Sequence, residues 1–364
     1  MASLLNPWLK DLESYEAGKS FEEVMGDYGL KESDILKLAS NETTLGTSPK
    51  AIKAAAEAVN KSHFYEEAYS QWFRKYLENK FKEEGIDTGV VVGNGMDSII
   101  ETLAKLFLDQ DSSIVISSPT FIYYKLAADW AGAELIDTGR DANNFSIDSE
   151  KILKSVKENT KIVFICSPNN PTGNLTSLEE IEYLAKNLNC LLFVDHAYIE
   201  FTDRSQDAKK IIEKYPNLVI GYTMSKAYAL AGYRVGYGLM SKELRDKCLQ
   251  VMAPFLNTRP SLAAAKAALE DKDHLNKVVH NNEIGKSFYY HELPKLGFEF
   301  TPTDANYILI KHPELTADEL CLALLKTGII VRNMKSVCPH SVRLTIGTDA
   351  ENKRVLKALA ELLK

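Results

Sequence analysis

Between Met96 and Thr223 the chain alternates between two hydrophobic periods. MDSIIETLAKLFL (96–108) and TFIYYKLAADWAG (120–132) place apolar residues three and four apart, the spacing of one helix face. Between and after them lie SIVIS (113–117), AELID (133–137), KIVFICS (161–167), CLLFVD (190–195) and LVIGYT (218–223). These runs are rich in β-branched and aromatic residues and too short for buried helices, so they predict strands. Start signals agree with the pattern. Ser48-Pro49 caps a helix over AIKAAAEAVNK, a second helix is expected from about Glu67 to Glu84, and Ser177 with Glu180 forms a capping box.

Strands alternating with helices imply an α/β fold with a mostly parallel sheet covered on both faces. After about Ser241 the pattern changes. SLAAAKAALEDKD and a polar segment around 275–293 predict long helices. FEFTP, NYILIKH, TADELCLALLK, IIVRN and VRLTIG then predict a smaller α+β set, closed by a helix capped at Thr348 and Glu351. The expected organisation is an N-terminal segment (1–45) packing near the domain interface, a large α/β domain (46–255) and a small C-terminal α+β domain (256–364).

Composition narrows the function. The chain has 364 residues, 45% hydrophobic and 26% charged, with a net charge of −7, so neither a nucleic-acid nor an anionic-membrane partner is expected. No basic leader or membrane-length apolar run appears, and a cytoplasmic protein is expected. The five cysteines have no CxxC or ligand-like spacing and read as free thiols. Without HExxH or paired His/Cys spacing no metal site is expected, and without GxSxG no nucleophile-elbow hydrolase.

In open α/β sheets ligands bind at the carboxyl ends of the strands. Four such ends carry turn-forming or ionisable residues: GNGMD (93–97), SPNNPTG (167–173), DHAY (195–198) and TMSK (223–226). Taken singly, each has a plainer reading: a strand-to-helix turn, a capping aspartate, a solvated lysine. Together they supply what a pyridoxal-phosphate site needs. Lys226 can form the imine, and Asp195 can keep the pyridine nitrogen protonated. Asn170 and Tyr198 can donate to the phenolic oxygen. Gly95, Met96 and Asp97 at a helix start, with Thr223, Ser225 and Arg234, can cradle the phosphate.

SPNNPTG, DHAY and SKAYALAGYRVGY resemble the signatures of fold-type I, class I/II aminotransferases, and most closely the histidinol-phosphate aminotransferase subgroup. YEAGK (15–19), KLASNE (37–42), GTSPKAI (46–52), PTF (119–121) and RLTIGT (343–348) extend the resemblance nearly end to end. The resemblance implies a ping-pong transaminase with glutamate as the usual donor. It makes Lys226 the Schiff-base lysine and proton shuttle, and Asp195 the partner of the pyridinium nitrogen. Phe121 would stack on the ring, and Tyr65 would reach the cofactor phosphate of the other subunit in a homodimer with shared sites. Arg343 would grip the carboxylate of glutamate, and Tyr15 and Arg332 would bind a substrate phosphate.

Four places depart from the family pattern. Asn41-Glu-Thr-Thr44 stands for AsnGluAsnPro, Tyr65-Glu-Glu67 for TyrProAsp, His196 for a glutamate, and Ala229 for a common glycine. The first two lie near the substrate mouth and the subunit interface, and they leave room for a shorter phospho-ketone such as dihydroxyacetone phosphate as substrate. A decarboxylase of amino-acid phosphates is the alternative enzyme on the same motifs, whereas an intact Lys226, Asp195 and Arg234 set disfavours a non-enzymatic binding protein of the same fold. His196 has either a packing role or a proton-relay role.

Overall fold

The computed structural model describes residues 4–9, 12, 19–336 and 338–364. The strands are β1 (Leu36–Lys37), β2 (Gly89–Asn94), β3 (Ser113–Ile116), β4 (Glu134–Asp137), β5 (Thr160–Cys166), β6 (Leu191–Asp195), β7 (Leu218–Thr223), β8 (Val235–Met240), β9 (Glu299–Thr301), β10 (Tyr307–Lys311), β11 (Ile329–Ile330), β12 (Arg332–Asn333) and β13 (Ser341–Thr345). Seven form one sheet in the order β2-β8-β7-β6-β5-β3-β4. Every neighbouring pair is parallel except the two that β8 makes. Because β8 runs against both β2 and β7, those two share a direction. Residues Asn94, Cys166, Asp195 and Thr223 therefore end their strands at one edge.

The strands are buried on both faces, as an alternating α/β chain requires. Val163 and Ile165 enter one core with Val90 and Val92, while Ile162 and Phe164 enter the other with Val91. The helices Pro49–Val59 and Arg259–Glu270 lie against each other over the first face. A boundary at 255/256 would assign the second of these to the small domain. Yet Leu262, Ala264, Ala265, Ala268 and Leu269 fill the core of the large sheet. The following helix, Lys272–Glu292, leads to an antiparallel sheet in the order β12-β13-β10-β9, with its own core around Leu320, Ile308 and Leu344. Between these sheets runs the N-terminal segment, tied to the small sheet's side by the parallel pairing of β1 with β11.

Local differences from expectation have physical causes. The helix expected from Glu67 begins as Gln71–Glu83, because Tyr69 and Ser70 have left-handed backbones with φ of 57° and 50°. IIVRN divides into β11 and β12, which pair with different partners. VGYGLM (235–240) lies outside the elements expected from the sequence, and it forms β8 despite its two glycines. A Cβ on Gly236 would lie 2.4 Å from the Met96 nitrogen, so only glycine lets β8 pass against the turn after β2. The capping boxes at Ser177 and Thr348 form as the sequence predicts.

Candidate active site

The edge where β2, β5, β6 and β7 end opens into a cavity of about 390 Å³ that reaches across to Arg332 and Arg343 on the small sheet. It brings together Met96, Asp97, Phe121, Asn170, Asp195 and Tyr198. Thr223, Ser225, Lys226 and Arg234 complete the set from the end of β7 and the turn beyond it. Gly95 adjoins it, since a Cβ there would strike the Arg234 guanidinium at 2.5 Å. Tyr65 is 79% exposed, stacks on Phe255 at 4.8 Å, and does not line the cavity of its own chain. Tyr15 lies outside the described residues.

Lys226 follows β7 directly. Its ammonium donates to the Ser40 carbonyl at 2.7 Å. Burial pushes its pKa down to about 8, with the Arg343 charge acting in the same direction. Asp195 closes β6, buried to 2% exposure. Its Oδ1 accepts from the Ala197 amide at 2.9 Å and its Oδ2 from the Tyr124 hydroxyl at 2.6 Å. Burial still raises the carboxyl to about 6, against both hydrogen bonds.

Donor directions follow from the neighbours. Asn170 Oδ1 accepts from Arg343 Nη1, which leaves its amide nitrogen as the donor. Tyr198 accepts from Asn41 Nδ2 at 2.9 Å, and burial raises its pKa, so it keeps its proton. Arg234 has a left-handed backbone, φ 54°, at the mouth of β8 and meets Asp97 at 2.9 Å. Beside it, Thr223 Oγ1 donates to Ser225 Oγ at 3.0 Å and accepts the Ser225 amide at 3.1 Å. Asp97 heads the helix Asp97–Phe107, so that helix's positive end faces the same corner.

His196 is fully buried, and both ring nitrogens are engaged. Nε2 accepts from the Ala208 amide at 3.1 Å, so Nδ1 carries the proton to the Ser167 carbonyl at 2.7 Å. Burial lowers its pKa, and the ring is not part of the cavity wall; of its two expected roles, the structure favours packing. Two residues that bear on the site escape sequence reasoning. Tyr124 is stacked on Phe164 at 4.7 Å and edge-on to Phe121 at 5.6 Å, and Asn41 reaches Tyr198 from the N-terminal segment. Asn41 stands in KLASNE, but nothing local in that motif names its partner.

The residues fit pyridoxal phosphate. A half-buried lysine of lowered pKa and a buried aspartate line one cavity, with an arginine, two hydroxyls and a helix N-terminus at one end. A seven-stranded sheet with one reversed strand, carrying that lysine–aspartate pair, defines a pyridoxal-phosphate-dependent enzyme. The family described as "Aminotransferase class I and II" matches residues 33–359. Histidinol-phosphate aminotransferases of Methanocella arvoryzae and Methanosarcina mazei are 39% and 37% identical to it, each over 358 residues. These alignments cover 97% of both chains in the first case, and 98% of this chain and 95% of the relative in the second. A solved histidinol-phosphate aminotransferase from Clostridium acetobutylicum is similar at TM-score 0.83 and 27% identity, covering 90% of this chain and 99% of that one. One from Sinorhizobium meliloti, in complex with pyridoxal-5'-phosphate, has the same fold at TM-score 0.87 and 23% identity, covering 99% and 98%. The chain belongs to the class I and II aminotransferases. Its cofactor is pyridoxal 5'-phosphate. Among the described residues no helix is long and apolar enough to cross a membrane, and no cluster of potential metal ligands occurs.

Proposed function

We propose that this enzyme moves an amino group between glutamate and a small phosphorylated compound, with histidinol phosphate as the expected partner. The observation that carries this reading is the pairing of Arg332 with Arg343. They stand directly opposite each other on β12 and β13, and both line the cavity that holds Lys226 and Asp195. Like charges at opposed positions of an antiparallel pair repel. Two cations at adjacent positions of the wall suit anionic groups that arrive in turn, the carboxylate of glutamate at Arg343 and the phosphate of its partner at Arg332. The names borne by the relatives at 37–39% identity favour histidinol phosphate over a shorter phospho-ketone.

Bound pyridoxal phosphate supplies a carbonyl for the amine and a protonated ring that takes up electrons from the substrate's Cα. The chain's own groups divide the remaining work. Asp195, ionised above pH 6, holds the proton on the ring nitrogen, and Tyr124 and the Ala197 amide hold Asp195. Lys226 has an amine that is partly neutral near pH 8, so it can accept a proton at Cα and deliver it elsewhere on the same face. Tyr198 and Asn170 donate toward the phenolic oxygen, Phe121 covers the ring, and Thr223, Ser225, Arg234 and the amides of Met96 and Asp97 hold the phosphate. Tyr65 does not line the cavity of its own chain. Its position beside the exposed Phe64 and Phe255 supports a homodimer in which it completes the neighbouring site.

The half-reactions test this. Glutamate should bleach the visible absorbance of the holoenzyme and release one 2-oxoglutarate per site, and the ketone that corresponds to histidinol phosphate should then restore the absorbance and leave as histidinol phosphate. Carbon dioxide released from a phospho-amino acid, without any keto acid, would overturn the transaminase assignment of the substrate. Faster turnover of dihydroxyacetone phosphate than of the histidinol pair would overturn the choice of partner alone.

A further inference from the structure

Three consecutive residues of the N-terminal segment each hold a different group of the cavity. The Ala39 carbonyl accepts from Arg343 Nη2 at 2.7 Å, the Ser40 carbonyl from Lys226 Nζ at 2.7 Å, and Asn41 Nδ2 donates to the Tyr198 hydroxyl at 2.9 Å. The segment itself hangs from the small sheet and its neighbours. Leu38 N–H donates to the Ile330 carbonyl at 2.8 Å, and its own carbonyl accepts from Thr345 N–H at 2.9 Å. The Asn41 amide donates to Thr345 Oγ1 at 3.0 Å, and the Asn41 carbonyl accepts from Asn306 Nδ2 at 2.9 Å. Asn41 is 1% exposed and sits at φ 57°, a left-handed backbone that asparagine tolerates better than most residues. Its side chain is therefore fixed from both ends.

A phenolic hydroxyl has a single proton, and a hydroxyl that accepts from an amide N–H cannot aim its proton at that amide. Asn41 thus decides where the Tyr198 proton does not go. We propose that Asn41 is a positioning residue that turns the Tyr198 proton onto the phenolic oxygen of the cofactor and ties that bond to the seating of the small sheet. The inference rests on the reading of Tyr198 as a cofactor contact. Since burial keeps Tyr198 protonated, the hydroxyl has a proton to give across the working pH range. A donor at the phenolic oxygen favours its anionic form, so losing that donor raises the pH at which the bound cofactor gives up its proton.

The test is the pH midpoint of the visible absorbance of the holoenzyme in three variants. Tyr198→Phe removes the donor and should raise the midpoint by about one pH unit. Asn41→Asp replaces the amide donor by an acceptor that draws the Tyr198 proton away, and should raise the midpoint in the same direction. Asn41→Gly deletes the donor without strain at positive φ and should raise it by less; it also carries the test if the aspartate variant does not fold. In the Tyr198→Phe background Asn41→Asp should add nothing. An equal shift with and without the Tyr198 hydroxyl would mean that the new charge acts alone, and would overturn the proposal. A shift for Tyr198→Phe with none for either Asn41 variant would overturn it while leaving Tyr198 as a cofactor contact. No shift for Tyr198→Phe would overturn that reading, and the inference with it.

Discussion

Replacing Asp195 with asparagine is expected to stabilise the cofactor-free protein while abolishing most of its activity. Asp195 has two good hydrogen bonds, from Tyr124 at 2.6 Å and from the Ala197 amide at 2.9 Å. They do not offset the loss of water, because burial lifts the carboxyl from 3.8 to about 6. A native value above the unfolded one reverses the usual sign for a carboxylate. Between pH 4 and pH 6 the folded chain holds a proton that the unfolded chain has released, so stability falls as pH rises through that window. Above pH 6 the penalty is complete, and the displacement from 3.8 to about 6 amounts to about 3 kcal/mol.

Asparagine removes the charge and keeps the shape. Its Oδ1 can take the Ala197 N–H, and its Nδ2 can donate to a Tyr124 hydroxyl turned to accept. At about 2 cal/mol/K of unfolding entropy per residue, about 3 kcal/mol raises the melting temperature of the cofactor-free protein by roughly 4 °C at pH 7.5. The difference should close by pH 4, where the wild-type carboxyl is protonated. With cofactor the sign inverts, because a neutral amide cannot balance a protonated ring nitrogen. The rise in melting temperature on adding pyridoxal phosphate should shrink, and kcat should fall on the order of 10²–10³-fold. Thermal melts of matched cofactor-free and loaded proteins at pH 4 and pH 7.5 read all of this. A cofactor-free Asp195→Asn protein no more stable than wild type at pH 7.5, or one that keeps its turnover, would refute the reasoning.

Three further outcomes are expected. Arg332→Ala should lower kcat/KM for the phosphorylated substrate by roughly 10- to 100-fold, the worth of one charged hydrogen bond, while single-turnover bleaching by glutamate changes little. An equal loss for both substrates would place Arg332 outside the phosphate site. Capture of pyridoxal phosphate by the cofactor-free protein needs a neutral amine, so its rate should climb with pH and level off above about pH 8, where the Lys226 ammonium is gone; stopped-flow absorbance follows it, and Lys226→Ala should yield a protein that borohydride does not label. If Tyr65 serves the neighbouring site, Tyr65→Ala and Lys226→Ala chains, each weakly active alone, should regain activity when unfolded and refolded together, because one site of the mixed dimer is then intact. Refolded mixtures no more active than their components would exclude the shared site.

The parts of this protein that are legible in its sequence are those governed by local rules. The parallel strands show as short β-branched runs, and their carboxyl ends point to Lys226, Asp195 and Asn170 because the sheet rule says where to look. β8 is less legible, since two glycines interrupt its run of apolar residues. It is a strand because Gly236 must pass within contact of the Gly95–Met96 turn, a requirement set by a segment about 140 residues earlier. Tyr124 reads as one more apolar position on a helix face, which it also is. Its hydroxyl matters only because the fold sets it against Asp195, 71 positions away. Asn41 is a stronger case, with its partner Tyr198 157 positions distant. Such pairings are fixed by tertiary packing, and no window of sequence contains both partners.

The reversed strand explains why the chemical groups come as a cluster. After Lys226 the chain turns, and β8 sends it back along β7, so Arg234 reaches the mouth of β8 beside Gly95 and Asp97. Thr223, Ser225, Lys226 and Arg234 are thus delivered to one corner by a single short stretch on one rigid sheet. Arg332 and Arg343 come from the other sheet, and the segment 39–41 and Asn170 touch both sides. On the proposed reading, the small sheet can change the anion it selects while the lysine, the aspartate and the phosphate cradle stay in place. The departures at Thr43-Thr44 and Glu66-Glu67 fall outside that fixed cluster, so they can retune the substrate without altering the reaction. Arg343 is the exception, because it also fixes the amide of Asn170. A change there should disturb the cofactor's environment along with substrate affinity, whereas a change at Arg332 should alter affinity alone.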